Sequence, residues 1–190
     1  MAELVVGFVL GSLDPAAQAM QQNSTQSRRY TATAFPPYRY VPGKSPHPVR
    51  DPRGHSYGAH GETEQLDAEQ WSSCQTYLVA VDLFNHGYYW ESHEELERLW
   101  RGTGRRTETG VFLQGLIQVA AALLKHSMGE RGSASRLAAQ GCAKLRTIAD
   151  VHLGISGPDF ARVIEATLEG RARDPVTIRL QGLEYLPAAS

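Results

Sequence analysis

The stretch His93-Glu94-Glu95-Leu96-Glu97 brings an imidazole and several carboxylates close together. His93 and Glu97 are four residues apart, so on a helix they lie on one face and both side chains can reach a single ion. A carboxylate next to an imidazole can alternatively orient the ring and increase its basicity. These residue types at this spacing indicate either a metal site or an acid–base pair, and Glu94 is a further candidate ligand.

The zinc-protease pattern H-E-x-x-H begins in the same way at His93, and its last position decides whether it applies. That position holds Glu97 instead of a second histidine, so the pattern fails. A di-iron bundle is also not indicated, because the chain lacks the Glu-x-x-His pairs that such bundles carry on two helices. The sequence therefore leaves the class of reaction, and whether there is one, open.

The cluster needs a helix to position it, and the sequence predicts one from about Tyr89 to Arg101. Tyr89, His93, Leu96 and Trp100 recur at helical spacing, which places His93 on the inward side with Glu97 at its border. Three aromatic residues are predicted to line a pocket beside the cluster: Tyr89, Trp90 and Trp100.

The next predicted helix, from about Glu108 to Ser127, should supply partners for the cluster. Its segment 111–124 is apolar nearly all round, which is typical of a helix in the centre of a bundle. Gln114 and Gln118 are the strongly polar side chains in this segment, and they share one face. Buried amides need hydrogen-bond partners. We therefore predict a semi-buried network of His93, Glu97, Gln114 and Gln118.

Two interpretations of this network stay open. In the first, a single divalent metal binds His93, Glu97 and a third donor, with His126 and His86 as candidates, while Glu94 and Glu95 are expected to point further outward. In the second, the network is purely structural, because satisfied polar groups in a core can specify how helices pack. If the network is purely structural, the alternative function is that of a protein-interaction module. Small residues on a predicted helical hairpin suggest such a module: Ala121, Gly129, Ala134, Ala138 and Gly141.

The fold class predicted for the chain is all-α, a compact bundle of about five helices over residues 62–170. The first helix is expected at 64–85, and the fourth is expected to start with Ser133 as its N-cap. The fifth is expected to open with Ser156, where Asp159 three residues later resembles a capping box. Residues 171–190 are expected to form a tail with a short extended piece at 176–180.

The region before the bundle is rich in proline, with seven of the ten prolines in the first 60 residues. Proline lacks an amide donor, so residues 35–61 are predicted to form an extended arm, which packs on the bundle through its several aromatic residues. Residues 1–34 are expected to be disordered or to include a mis-assigned start. The arm's candidate ligands fit no metal-binding spacing and are assigned a structural role: His47, Asp51, His55 and His60.

Composition narrows the classes of partner. With 19 basic and 20 acidic residues the net charge is −1, which gives no overall attraction for nucleic acid, so nucleic acid is an unlikely partner. A local patch at Arg98–Arg106 is balanced by neighbouring acids. No apolar run reaches the length of a membrane span, and Cys74 and Cys142 are expected to be reduced thiols. We expect a cytoplasmic protein without a membrane partner, with a homodimer as the alternative to a monomer.

Three motifs resemble one known family. They are Phe84-Asn85-x-Gly87, Tyr89-Trp90-Glu91-x-His93-Glu94-x-Leu96-Glu97-x-x-Trp100-Arg101, and Phe112-Leu113-Gln114-Gly115-Leu116-Ile117-Gln118. Over roughly residues 76–146 the chain resembles the bacterial and archaeal family called domain of unknown function 309. The resemblance implies a small all-helical bundle whose motif residues face each other across the second and third helices. It implies no activity, substrate or catalytic residue.

Overall fold

The computed structural model of the protein describes residues 28–59, 61–148, 150–172 and 174–187. The expectations for residues 1–27, for His60 and for the last residues of the tail lie outside these ranges. Residues 29–186 form one compact unit. Within the described ranges, no helix is long and apolar enough to cross a membrane.

Five α-helices, one 3-10 turn and one short hairpin make up the regular structure of the described residues, and this confirms the predicted all-α bundle. Helix α2 packs between α1 and α3, α3 packs against α4, and α4 packs against α5. The elements in chain order are α1 (Gln75–Asn85), α2 (Tyr89–Thr103), α3 (Glu108–Ser127), α4 (Arg131–Leu145), β1 (Val151–His152), β2 (Ile155–Ser156) and α5 (Gly157–Leu168).

Helix α3 is central in the bundle, as its apolar segment predicts. It begins where expected because the Thr107 side chain accepts a hydrogen bond from the Gly110 amide at 3.0 Å, which satisfies one of the free amides of the first turn. Phe112, Leu113 and Val119 are fully buried. The predicted bounds of this helix match the observed ones because a strong N-cap and a continuous apolar segment agree.

The start of α1 was predicted wrongly, since the first helix begins at Gln75 and not at Glu64. A single 3-10 turn, Trp71–Ser73, precedes it. Glu64 makes tertiary contacts instead of helical ones. Its amide donates to the Arg98 carbonyl at 3.4 Å, and its carboxylate accepts from the Thr76 hydroxyl at 2.6 Å.

This non-helical segment runs over the end of α2. Leu66 is buried, and its amide donates to the Thr103 hydroxyl at 2.9 Å. Gly102 allows the close approach, because a Cβ there would lie 2.3 Å from the Glu64 carbonyl oxygen. Tertiary packing of Leu66 therefore outweighs the helical pattern of the surrounding sequence.

The start of α4 also differs from the prediction, because Glu130 and not Ser133 occupies the N-cap position. Between α4 and α5 the chain makes a hairpin that was not predicted, with Val151 opposite Ser156. Its two turn residues, Leu153 and Gly154, both have positive φ (49° and 76°), the conformation of a tight two-residue hairpin turn. A leucine seldom adopts it, so this turn is difficult to predict from the residue types.

The predicted start of α5 is confirmed in position, since Ser156 is its N-cap. The Ser156 hydroxyl donates to the Asp159 carboxylate at 2.8 Å instead of accepting from a backbone amide. The predicted capping box is therefore replaced by a contact between the two side chains.

Helices α3 and α4 cross at two glycines, Gly115 and Gly141. A Cβ on Gly141 would lie 2.8 Å from the Gly115 carbonyl oxygen, so only a residue without a side chain fits there. Ala134 and Ala138 are also buried. These small residues suggested an interaction module from the sequence, but contacts within the chain account for them.

A buried carboxylate contacts the N-terminal segment that precedes the arm. Asp82 on α1 is completely buried. It accepts hydrogen bonds from the Tyr30 amide, the Thr31 amide and the Thr31 hydroxyl, each at 2.8 Å. The Arg29 guanidinium lies 3.8 Å away and compensates part of the charge.

Residues 176–180, for which a short extended piece is predicted, form no helix or strand, and they lie on the bundle with alternate side chains buried: Val176, Ile178 and Leu180. The Asn85 amide group bonds to both backbone groups of Ile178, at 2.6 and 2.8 Å. The Leu180 amide donates to the Tyr30 hydroxyl at 2.8 Å. The described part of the tail is therefore tied to the bundle and to the N-terminal segment.

We predict that Asp82→Ala destabilises the protein by about 3 kcal/mol or more, because it leaves several buried donors without an acceptor. Urea unfolding followed by circular dichroism measures the change. Thr31→Val removes one donor and should reduce stability by about 1 kcal/mol.

The exposed Asp174 provides the control, and Asp174→Ala should change stability by no more than about 0.5 kcal/mol. Equal effects of the substitutions at Asp82 and Asp174 would contradict the role of the buried carboxylate.

A second prediction concerns the α3–α4 crossing. Gly141→Ala should destabilise the protein by about 1–3 kcal/mol through the clash with Gly115, although alanine favours a helix by about 1 kcal/mol. Gly132 lies on the same helix with open space around its Cα. Gly132→Ala should therefore be neutral or stabilising in the same unfolding experiment. A stabilising effect of both substitutions would show that the crossing is looser than described.

Candidate functional site

Helix α2 is fixed by one apolar side and carries polar groups on its two flanks. Leu96 and Leu99 are buried, and the buried Ser92 hydroxyl donates to the Ala80 carbonyl of α1 at 2.8 Å. With 3.6 residues per turn, His93 and Glu97 lie on one flank of this side, and Glu91 and Glu95 lie on the other. The buried side of α2 is therefore rotated relative to the predicted one. His93 lies at the edge of the buried side instead of at its centre.

His93, Glu94 and Glu97 come together on the first flank. Each offers one potential ligand atom, and these atoms all lie within 4.8 Å of one another. The three residues are half-buried. His93 Nδ1 lies 3.3 Å from Glu94 Oε1, but it makes no hydrogen bond with good geometry to any described residue. The cluster thus combines two adjacent carboxylates with an imidazole nitrogen that makes no well-formed hydrogen bond among the described residues.

Two arginines pair with carboxylates of the same helix. Arg101 lies 2.9 Å from Glu97, and Arg98 lies 2.6 Å from Glu95. Burial raises the pKa of the Glu95 carboxyl, and the Arg98 charge opposes this increase. The exposed Arg101 side chain leaves its ion pair with Glu97 weak, since surface pairs contribute about 0–1 kcal/mol.

The predicted network of His93, Glu97, Gln114 and Gln118 is not formed among the described residues. Gln118 faces α4, where its side chain bonds to Gln140 at 3.2 Å and to Lys144 at 3.0 Å. Gln114 is half-buried on α3 and has no hydrogen bond to His93 or Glu97 in the described structure. The two glutamines share a helix face, as predicted, but Gln118 finds its partners on the following helix.

The other histidines suggested as a third ligand lie outside the cluster. His86 Nδ1 contacts the Asp82 carbonyl at 2.7 Å, and His126 is near the end of α3. Among the described residues, Glu94 is the one that completes the group of three.

Two of the predicted pocket-lining aromatics lie on the same flank as His93. The Tyr89 ring packs against Phe84 with a centroid distance of 5.5 Å, and burial raises the pKa of its hydroxyl. Trp100 has a buried indole N–H without a hydrogen-bond partner in the described residues, and the Arg105 guanidinium lies 4.8 Å from its ring.

Trp90, by contrast, faces the proline-rich arm. Its ring makes edge contacts with Tyr40 and His47, at centroid distances of 5.1 and 5.5 Å. The aromatic residues of the arm therefore pack on the bundle through a side chain that sequence analysis had assigned to the metal cluster's pocket.

Glu91 is a buried carboxylate that was not identified from the sequence. It is 5% exposed, and its Oε1 accepts from the Tyr40 amide at 2.7 Å and lies 3.3 Å from His55 Nε2. The other nitrogen of His55 lies 2.9 Å from the Ser56 hydroxyl. Glu91 Oε2 is buried and has no hydrogen-bond partner among the described residues.

A cavity of about 620 Å³ lies beside Glu91, between the arm and helices α1 and α2. His55 and Ser56 line it from the arm, and Val79 lines it from α1. The aromatic residues of the arm indicated packing, but no motif indicated which helix residues they cover. The sequence alone therefore does not predict this cavity.

One of three comparisons with known proteins finds a match, and it agrees with the motifs. No curated protein and no solved structure matches the chain. The model of one family, described as Domain of unknown function (DUF309), matches residues 77–137, which include most of α1, all of α2 and α3, and the first half of α4. The match confirms the family predicted from the motifs: between Tyr77 and Leu137 this chain carries the sequence pattern of DUF309.

Proposed function

We propose that this protein binds a single divalent transition-metal ion through His93, Glu94 and Glu97. The observation that carries the proposal is the convergence of their potential ligand atoms within 4.8 Å. One imidazole nitrogen with carboxylate oxygens is a donor set that suits zinc, manganese or iron(II). A bound ion would also give a partner to the buried His93 Nδ1, which has no hydrogen bond among the described residues.

The charges of the site are compatible with a divalent ion. Glu94 and Glu97 together supply two negative charges, which a divalent cation would neutralise. Arg101 competes for Glu97 at 2.9 Å, but an exposed ion pair of this kind contributes only about 0–1 kcal/mol and could be displaced or shared.

Three protein ligands leave at least one position of a tetrahedral ion for water or a substrate atom. In such a site the metal supplies Lewis-acid chemistry or a water of lowered pKa. The residues of the chain would fix the ion, and Tyr89 and Trp100 would border it on the same flank.

The test is elemental analysis of purified protein together with calorimetric titration of chelator-treated protein with Zn²⁺ and Mn²⁺. We expect about one ion per chain in the parent protein. The double variant His93→Ala/Glu97→Gln should lose this ion, with an affinity reduced at least about a hundredfold, because two of three ligands are removed.

His126→Ala is the control, since His126 is half-buried on α3 but lies outside the cluster. It should leave metal content unchanged. A parent protein without stoichiometric metal, or a double variant that retains it, would refute the proposal, and thermal melts of each protein show whether the fold is intact.

A related prediction concerns Arg101. Arg101→Met should strengthen metal binding by up to about fivefold in the same titration, because Glu97 then has no competing cation, and the gain is limited by the small energy of an exposed ion pair. Exposed Arg162 provides the matched control, and Arg162→Met should leave the affinity unchanged. Weaker binding in Arg101→Met would indicate that Arg101 positions Glu97 instead of competing for it.

A further inference from the structure

The net charge of −1 conceals an uneven distribution of charge along the chain. The arm, residues 35–61, holds four basic residues and one acidic residue, whereas residues 62–97 hold nine acidic residues and neither lysine nor arginine. The basic residues of the arm are Arg39, Lys44, Arg50 and Arg53. The overall charge therefore does not describe the surface of the arm, which attracts anions locally.

Residues 47–58 of the arm fold back on themselves, and we call them the closed turn. The Gly58 amide donates a hydrogen bond to the Val49 carbonyl at 3.2 Å. Arg50 directly follows Val49, and Tyr57 directly precedes Gly58. The closed turn therefore brings Arg50 and Tyr57 to the same part of the surface.

The Tyr38 hydroxyl joins the closed turn to the rest of the arm. It donates a hydrogen bond to the Pro46 carbonyl at 2.9 Å and accepts one from the His55 amide at 3.3 Å. Arg39 is next to Tyr38 in the chain, and Lys44 is two residues before Pro46, so both are held close to the closed turn. The arm thus carries its cations on a folded scaffold.

Three of the four cations are available to a partner. Arg39, Lys44 and Arg50 are exposed and form no ion pair with any described residue. Arg53 pairs with Asp51 at 3.0 Å, but its side chain is 79% exposed. An exposed pair of this kind is weak and can be exchanged for a phosphate.

The carboxylates of α2 that border the arm have other partners. Glu91 is buried beneath the arm, where it accepts a backbone hydrogen bond. Glu95 pairs with Arg98 at 2.6 Å, and Glu94 lies 3.3 Å from His93. The arm therefore meets a carboxylate on the side that faces the bundle, and its exposed side chains include the unpaired cations.

Tyr57 adds an aromatic surface to these cations. Its side chain is 59% exposed, more than any other large hydrophobic side chain of the described residues. Tyr38 and Tyr40 pack on His55 and Trp90, whereas the Tyr57 ring contacts no other ring in the described structure. Proteins that hold single-stranded nucleic acid combine such groups, because bases stack on an aromatic ring while cations pair with the phosphates.

The same observations favour a single strand over other polyanions. Binding to an anionic membrane commonly uses an amphipathic helix, and readout of a duplex uses a helix or a β-ribbon that enters a groove. The described part of the arm contains neither helix nor strand. Tyr57 is the one exposed large hydrophobic side chain of the described arm residues, which is enough for a base but little for a membrane.

We propose that the arm binds single-stranded RNA or DNA. Arg39, Lys44 and Arg50 pair with backbone phosphates, and a base stacks on Tyr57. None of these residues belongs to the proposed metal cluster, so this inference goes beyond the metal proposal and does not depend on it.

Fluorescence anisotropy of the full-length protein with labelled oligouridylate and oligothymidylate, each of about 15 nucleotides, tests the proposal. EDTA in the buffer removes any contribution of a bound metal. We expect saturable binding with a slope of about −2 in a plot of log affinity against log salt concentration, since each of three phosphate contacts contributes about 0.7. Binding of either oligonucleotide supports the proposal, and the ratio of the two affinities tells which sugar is preferred.

The double variant Lys44→Gln/Arg50→Gln removes two exposed cations and should leave the fold intact. At about 0.1 M salt it should weaken binding by about tenfold or more and reduce the magnitude of the salt slope by about 1.4. Arg136→Gln is the control, because Arg136 is an exposed arginine on α4 without an ion pair in the described structure. It should leave the affinity unchanged.

Tyr57→Ala should weaken binding by about fivefold or more, whereas Tyr57→Phe keeps the ring and should bind within about twofold of the parent protein. Vesicles of phosphatidylcholine and phosphatidylserine serve as the alternative anionic surface. The proposal is overturned by absence of saturable oligonucleotide binding, by binding that both the double variant and Tyr57→Ala leave unchanged, or by stronger binding to these vesicles than to either oligonucleotide.

Discussion

The Asp82 carboxylate is the group on which the arrangement of arm, bundle and tail depends. It is completely buried on α1 and is satisfied by the backbone of Tyr30 and Thr31. Tyr30 in turn accepts a hydrogen bond from Leu180 and stacks on Tyr185 at a centroid distance of 4.5 Å. A buried charge needs such partners, so both ends of the described chain are drawn to the same place on α1.

The arm that follows this anchored segment covers part of α2. The N-terminal segment is held at α1, and the arm that follows passes along α2, where Tyr40 and His55 contact Glu91. One flank of α2 is thereby covered by proline-rich chain. The opposite flank, with His93 and Glu97, is bordered by Tyr89 and Trp100. A short helix thus presents carboxylates to two different environments.

The sequence predicts the helices best where local signals and packing agree. Helix α3 has an N-cap at Thr107 and a continuous apolar segment, and its bounds were predicted correctly. The prediction fails where a tertiary contact decides the conformation, as in the packing of Leu66 over α2 or the positive φ of Leu153. Hydrogen bonds between different elements are equally difficult to predict. Gln118 bonds to α4, and Glu91 bonds to an arm residue far away in the sequence. The proximity of His93, Glu94 and Glu97 was accessible because it depends on one helix alone.

The arm has a consequence for diversification. Residues 77–137 carry the family pattern and include Glu91, Val79 and Leu83, whereas Pro36, Val49 and His55 lie before this region. One wall of the cavity thus belongs to the shared domain and the other to an extension that precedes it. Exchanging the extension would therefore change the shape and polarity of the cavity without altering the helices, since that wall is supplied by a segment outside the matched residues.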